Sequence, residues 1–264
     1  MTYIGPLLFA IFVWWASTGL ILYLDGRPRA TFKWTLLGAT VLAVLGFVGL
    51  RASSAVTTTA SAYCAFLCAL LIWAWQEVAF LLGVVTGPRR VPCPPDATGW
   101  RRTVLAFQTI AHHELALVVL GAGVVAVTWH QPNRTGLWTF AILWVMRQSA
   151  KLNVFLGVRN LSEEFLPHHL RYLQTYFRSA RMNALFPIVV ALSTWLAVRV
   201  WQAAVAPGID DFSATSLTFA ASLLSLAILE HWFMVLPLPS TAMWSWGLRS
   251  RAPPVAERLG STPS

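Results

Sequence analysis

The stretch that decides the fold is "QTIAHHELALVV", Gln108 to Val119. Two histidines and a glutamate, His112, His113 and Glu114, stand there inside a long apolar run. Ionisable side chains at membrane depth are costly, and they face a protein interior or a polar cavity. The segment therefore predicts a membrane helix whose polar groups are met by groups on neighbouring helices. The rest of the chain agrees. Of its 264 residues 57% are hydrophobic and only 11% charged, against about 25% charged in a soluble domain. Soluble α/β and all-β architectures are excluded, and the fold class is all-α, a polytopic integral membrane protein.

Apolar runs of about 20 residues mark spans. Seven are read, near residues 3–24, 33–52, 57–86, 102–129, 135–157, 183–206 and 213–236. The third and fourth exceed the required length, which predicts tilt. The first lacks the basic leader of a signal peptide, so it counts as a helix. Residues 1–248 form a single transmembrane domain on this reading, and the Pro-, Arg- and Ser-rich tail, 249–264, is expected to be disordered.

Net charge is +9, and every basic residue but Lys33 and Lys151 is an arginine. The basic residues gather in alternate connections. Arg27, Arg29 and Lys33 lie in the first, Arg89, Arg90, Arg101 and Arg102 in the third, and Arg159, Arg171, Arg178 and Arg181 in the fifth. The tail adds Arg249, Arg251 and Arg258, whereas the other connections hold only Arg51 and Arg134. The positive-inside rule then places the N-terminus outside (periplasmic) and the C-terminus in the cytoplasm. The basic excess thus serves topology and anionic headgroups. Nucleic acid is not an expected partner, because no basic recognition motif is present.

Between spans five and six, Leu166, Leu170, Leu173 and Phe177 recur at helical spacing. An amphipathic cytoplasmic helix is predicted near 167–179, with Pro167 at its start. Its Glu163, Glu164, His168 and His169 are read as a solvated helix entry. Pro237 and Pro239 end the last span. Cys64, Cys68 and Cys93 make no CxxC pair, so neither zinc nor a disulfide framework is supported. Asn133-Arg-Thr matches a glycosylation sequon but carries no weight.

Counting along the spans gives depth. Glu77 lies 12 residues before Arg89, roughly 18 Å at the helical rise, and His113 lies 11 after Arg102, roughly 16 Å. Arg147, Gln148, Lys151 and Asn153 fall in the inner half of span five, and Glu230 and His231 about two turns before Pro237. Four helices thus bring ionisable groups to one layer. Three readings fit it. Arg147 and Lys151 can neutralise Glu77, Glu114 and Glu230 in a buried network. Alternatively, Glu77, His113, Glu114, Glu230 and His231 supply mixed ligands suited to iron, manganese or zinc. Adjacent pairs such as His113-Glu114 point about 100° apart, however, and the di-iron Glu-x-x-His pattern is missing. Third, His112, His113 or His231 could ligate a tetrapyrrole such as bacteriochlorophyll, with tryptophans around a flat ligand. Walker A, GxGxxG, HExxH and GxSxG are absent, so catalysis stays open. The nearly nonpolar outer half offers a transporter no exit path.

The blocks "FLLGVVTGPRR", "HHELAL", "KLNVFLGVRNLSEEFLPHHLRYLQTYF", "MNALFP" and "LEHWFMVLPLP" occur in order. Over about residues 70 to 247 the chain resembles PuhE, the photosynthetic complex assembly proteins of purple phototrophic bacteria. The resemblance implies a multi-pass protein of the inner (intracytoplasmic) membrane, linked to reaction-centre assembly and bacteriochlorophyll supply. Its partners would be the lipid membrane and reaction-centre or light-harvesting subunits or other assembly factors. Glu77, His113, Glu114, Lys151, Asn153, Arg159, Asn160, Glu230 and His231 carry the resemblance, whereas Gln76 and His168 are less typical of it. A membrane-embedded di-metal enzyme modifying a pigment, quinone or carotenoid is the alternative.

Overall fold

A computed structural model describes residues 2–237 and 240–251. Seven long helices make the body: α1 (Ile4–Asp25), α2 (Phe32–Ser54), α3 (Thr59–Leu81), α4 (Gly99–Thr128), α5 (Thr135–Leu156), α6 (Leu185–Ala204) and α7 (Asp211–Phe233). A short helix, α8 (Ser245–Leu248), follows. Six of the long helices are long and apolar enough to cross a membrane. The helix outside that set is α5, whose second half carries Arg147, Gln148, Lys151 and Asn153. With 22 residues it still has spanning length, roughly 33 Å at 1.5 Å per residue.

Polarity is arranged for lipid. Leu45, Val119 and Leu192 are exposed on the outer faces, whereas Gln76, Glu77, His113 and His231 are buried. Helices α3 and α7 are central: 61% and 56% of their apolar windows are buried, against about a fifth for α1, α2, α4 and α6. Phe66 and Phe219 stack at 4.1 Å between these two central helices, and Phe9 of α1 packs against both. Starts are capped where the sequence offers an oxygen. The Thr58 hydroxyl accepts from the Ser61 N–H and Ser61 returns the bond to the Thr58 N–H. Asp210 accepts from the Ser213 N–H ahead of α7.

Several boundaries differ from the sequence reading. The third span, expected to 86, is helical only to Leu81, because Gly83 adopts a left-handed conformation (φ +75°) that other residues rarely tolerate. The chain then runs without helix beside α4, where the His113 N–H donates to the Thr86 carbonyl and the Arg89 N–H to the Gln108 carbonyl. Those bonds satisfy backbone groups that the end of the helix would otherwise leave free. Gly87 makes the contact possible, since a Cβ there would lie 2.1 Å from the Gln108 carbonyl oxygen. The amphipathic helix expected near 167–179 is a 3₁₀ segment, His168–Tyr176, after which Val158 and Ser179 form a single parallel bridge. The expected helical face still forms: Leu170 and Leu173 pack with Phe80 beneath the end of α3. Order also extends into the expected tail, because Arg249–Arg251 make a 3₁₀ turn and Arg251 pairs with buried Asp25 at 2.5 Å. Pro239 and the tail beyond Arg251 lie outside the described residues.

Candidate functional site

The charged layer forms between α3, α4, α5 and α7, and its members have separate partners. The Arg147 guanidinium donates to the Glu77 carboxylate at 2.9 Å, joining α5 to α3. One helical turn on, the Lys151 ammonium donates to Glu114 at 2.6 Å. The Gln148 amide donates to the other Glu114 oxygen, so that carboxylate is held on both sides by α5. Residues 147, 148 and 151 are spaced so that one helix face serves α3 and its flank serves α4.

The remaining ionisable groups go elsewhere. His231 is buried, with Nδ1–H donating to the Ala227 carbonyl at 2.8 Å and Nε2 2.7 Å from the Ser149 hydroxyl. Once Nδ1 carries the proton, Nε2 is the acceptor. Glu230 lies on an exposed face of α7 and accepts from the Trp14 indole at 2.6 Å. His113 is buried against Phe80, ring centres 4.6 Å apart, and its Nδ1 meets no hydrogen-bond partner among the described residues. His112 faces outward from α4 and is exposed, so of the three candidate imidazoles it is the one open to a ligand arriving from outside the bundle.

The five residues read as metal ligands are therefore brought to one layer but divided among different partners. Among the described residues, no three His, Cys, Asp or Glu side chains stand close enough to share a metal ion. The adjacent pairs behave as the 100° offset requires: His113 is buried where Glu114 turns to Lys151, and His231 is buried where Glu230 turns to Trp14.

Two of the polar residues that carry the family resemblance lie outside the layer. Asn160 donates to the Phe233 and Leu236 carbonyls, closing the end of α7. Arg159 is exposed and makes no ion pair among the described residues. Asn153 is buried and joins α5 to the start of α6, where Asn183 donates to its side-chain oxygen at 3.0 Å. The Asn183 oxygen in turn accepts from the Leu185 and Phe186 N–H groups, capping α6. Sequence reasoning missed Asn183, although an asparagine two residues before an apolar run is a cap signal. Asn133 of the sequon is also buried, and its amide donates to the Ser53 and Ser61 carbonyls.

A family model described as "Protein of unknown function (DUF3623)" matches residues 1–255. The chain belongs to that family. The family match takes in the whole charged layer, Trp14 at its start and the returning segment 240–251. A curated relative, the "Uncharacterized 30.4 kDa protein in puhA 5'region" of Rhodobacter capsulatus, is 41% identical over 244 residues, covering 91% of this chain and 89% of the relative. No solved structure matches the chain.

Proposed function

We propose that this protein is a non-catalytic assembly factor for the photosynthetic reaction centre or light-harvesting complex, acting in the bacterial inner membrane. It has seven spans, the N-terminus outside and the basic end of the bundle in the cytoplasm. The observation that carries the reading is the internal pairing of the layer: Glu77 with Arg147, and Glu114 with Lys151 and Gln148. Charges spent on one another hold helices together, and among the described residues no three His, Cys, Asp or Glu side chains converge. The relative's place in the puhA 5' region supports a photosynthetic role, and so does the PuhE resemblance across residues 70–247. Bacteriochlorophyll supply fits a protein whose outer faces are apolar and carry an exposed imidazole, His112. No comparable observation favours a membrane metalloenzyme.

The test is complementation of a deletion strain with Glu77→Gln. This swap keeps shape and hydrogen bonding but removes the charge. Reaction-centre absorption of the membranes should stay near the wild-type level. Loss of assembly with the variant still inserted and monodisperse would sink the scaffold reading. Stoichiometric iron, manganese or zinc in the purified protein would do the same.

A further inference from the structure

At the basic end, a cavity of about 360 Å³ opens between the start of α2, the irregular chain after α3 and the 3₁₀ segment. Arg29, Arg90 and His169 line it, together with the hydroxyls of Thr86 and Tyr172. Its wall is apolar, formed by Phe32, Leu82 and Leu170. Both arginines are exposed, whereas Thr86, Leu82 and Leu170 are buried, which gives a basic rim over a closed floor. No acidic residue lines the cavity, and neither arginine forms an ion pair among the described residues.

The floor supplies a second, independent observation. Thr86 is 1% exposed, yet its hydroxyl meets no hydrogen-bond partner among the described residues, and the same holds for the Tyr172 phenol. Burial raises the pKa of that phenol and the Thr86 hydroxyl beside it opposes the rise, so the two hydroxyls are neighbours on the floor. Buried polar groups are seldom left unmatched. Two donors on the floor and two unpaired guanidinium groups at the rim call for one acceptor-rich anion. Arginine forks suit phosphate oxygens in particular. Helix α2 begins and α3 ends beside the cavity, which puts it where headgroups lie, and basic pockets between membrane helices take such groups.

The geometry points to a phosphate-binding site for the headgroup of an anionic membrane lipid. The phosphodiester sits between Arg29 and Arg90 and accepts from Thr86 and Tyr172, while the start of an acyl chain follows Phe32 and Leu82. Free phosphate shares the chemistry of the anion but would leave the apolar wall bare.

Native mass spectrometry of the full chain in mild detergent tests this, with phosphatidylglycerol, phosphatidylcholine and inorganic phosphate as probes. Wild type should retain phosphatidylglycerol over phosphatidylcholine. Arg29→Ala with Arg90→Ala should weaken that binding by about tenfold or more, the scale of losing charge-assisted bonds. Arg159→Ala with Arg181→Ala removes the same charge from exposed arginines that do not line the cavity, and should change little. Thr86→Val keeps the shape; it should weaken lipid binding while leaving the lipid-free protein as stable as before or more so. Equal loss in both double-arginine variants, or unaltered binding in Arg29→Ala/Arg90→Ala, would overturn the site. Inorganic phosphate binding as tightly as the lipid would overturn the lipid as its source.

Discussion

Glu114 shows what a single charge in this layer depends on. Its two oxygens are taken by Lys151 and Gln148, and both ion-pair side chains are largely buried, 23% and 17% exposed. Removing one partner of a buried pair costs about 3–5 kcal/mol, because the survivor keeps its desolvation penalty. Lys151→Met should therefore destabilise the protein strongly in a detergent unfolding assay, whereas Lys151→Met with Glu114→Gln should recover most of the loss. If the double variant is no better than the single, the pairing is not what holds α4 to α5. Depth counting left the pairing of Glu77 and Glu114 with Arg147 and Lys151 as one of three readings of the layer and did not assign which basic residue meets which carboxylate. The partners of Glu230 and His231 were not legible in the sequence. Trp14 is one of 14 tryptophans, and Ser149 is an ordinary helix hydroxyl. Only helix rotation, which depth does not encode, brings them into reach.

At the scale of elements, the departures from the sequence reading share one cause: backbone that satisfies itself outside α-helix. Hydropathy marked 57–86 as one run because Leu82, Val84 and Val85 are as apolar as the helix before them. The helix nevertheless ends at Leu81, and α4 accepts and donates the bonds that follow. Gly87→Val tests that seat, since the new Cβ would meet backbone, which cannot swing aside. Trypsin should then cut faster at Arg89 and Arg90 while the spans stay intact. The 3₁₀ segment depends on a different contact. His169 Nε2–H donates to the Leu81 carbonyl at 2.9 Å, and burial, with Arg29, Arg251 and His168 nearby, holds its pKa below the ordinary 6.5 despite that bond. The undocked segment therefore binds a proton more readily than the docked one, and docking weakens as pH falls below about 6.5 towards the lowered value. Amide protection factors across residues 168–176, corrected for intrinsic exchange, should fall as the pH drops from about 7 to about 5. His169→Gln, which can still donate to Leu81, should flatten the response; an equal fall in that variant would assign the effect to another group.

For the whole molecule the decisive element is α5, the most polar of the long helices. Were it not to cross, the chain would have six spans and both termini on one side. The structure ties its two ends to opposite ends of the bundle. Just before its first turn, Asn133 is bonded to Ser53 and Ser61, at the junction of α2 and α3. Beyond its last turn, Val158 donates to the Arg178 carbonyl, and Arg102 at the start of α4 reaches the Phe155 and Tyr176 carbonyls. On the proposed topology, a helix fixed at both ends of such a bundle crosses the membrane with its neighbours. Its polar residues are tolerated because they are paired with neighbours, Arg147 with Glu77 of α3, Lys151 and Gln148 with Glu114 of α4, and Asn153 with Asn183 before α6. On that reading the arginine bias orients all seven proposed spans together. In a background lacking Cys64, Cys68 and Cys93, Gln131→Cys should react with a membrane-impermeant maleimide added to intact spheroplasts. Arg171→Cys should react only after the membrane is opened. Labelling of both from the same side would mean that α5 does not cross. Labelling of Arg171→Cys alone on intact spheroplasts would keep seven spans and invert the bundle, placing the lipid-headgroup cavity on the periplasmic face.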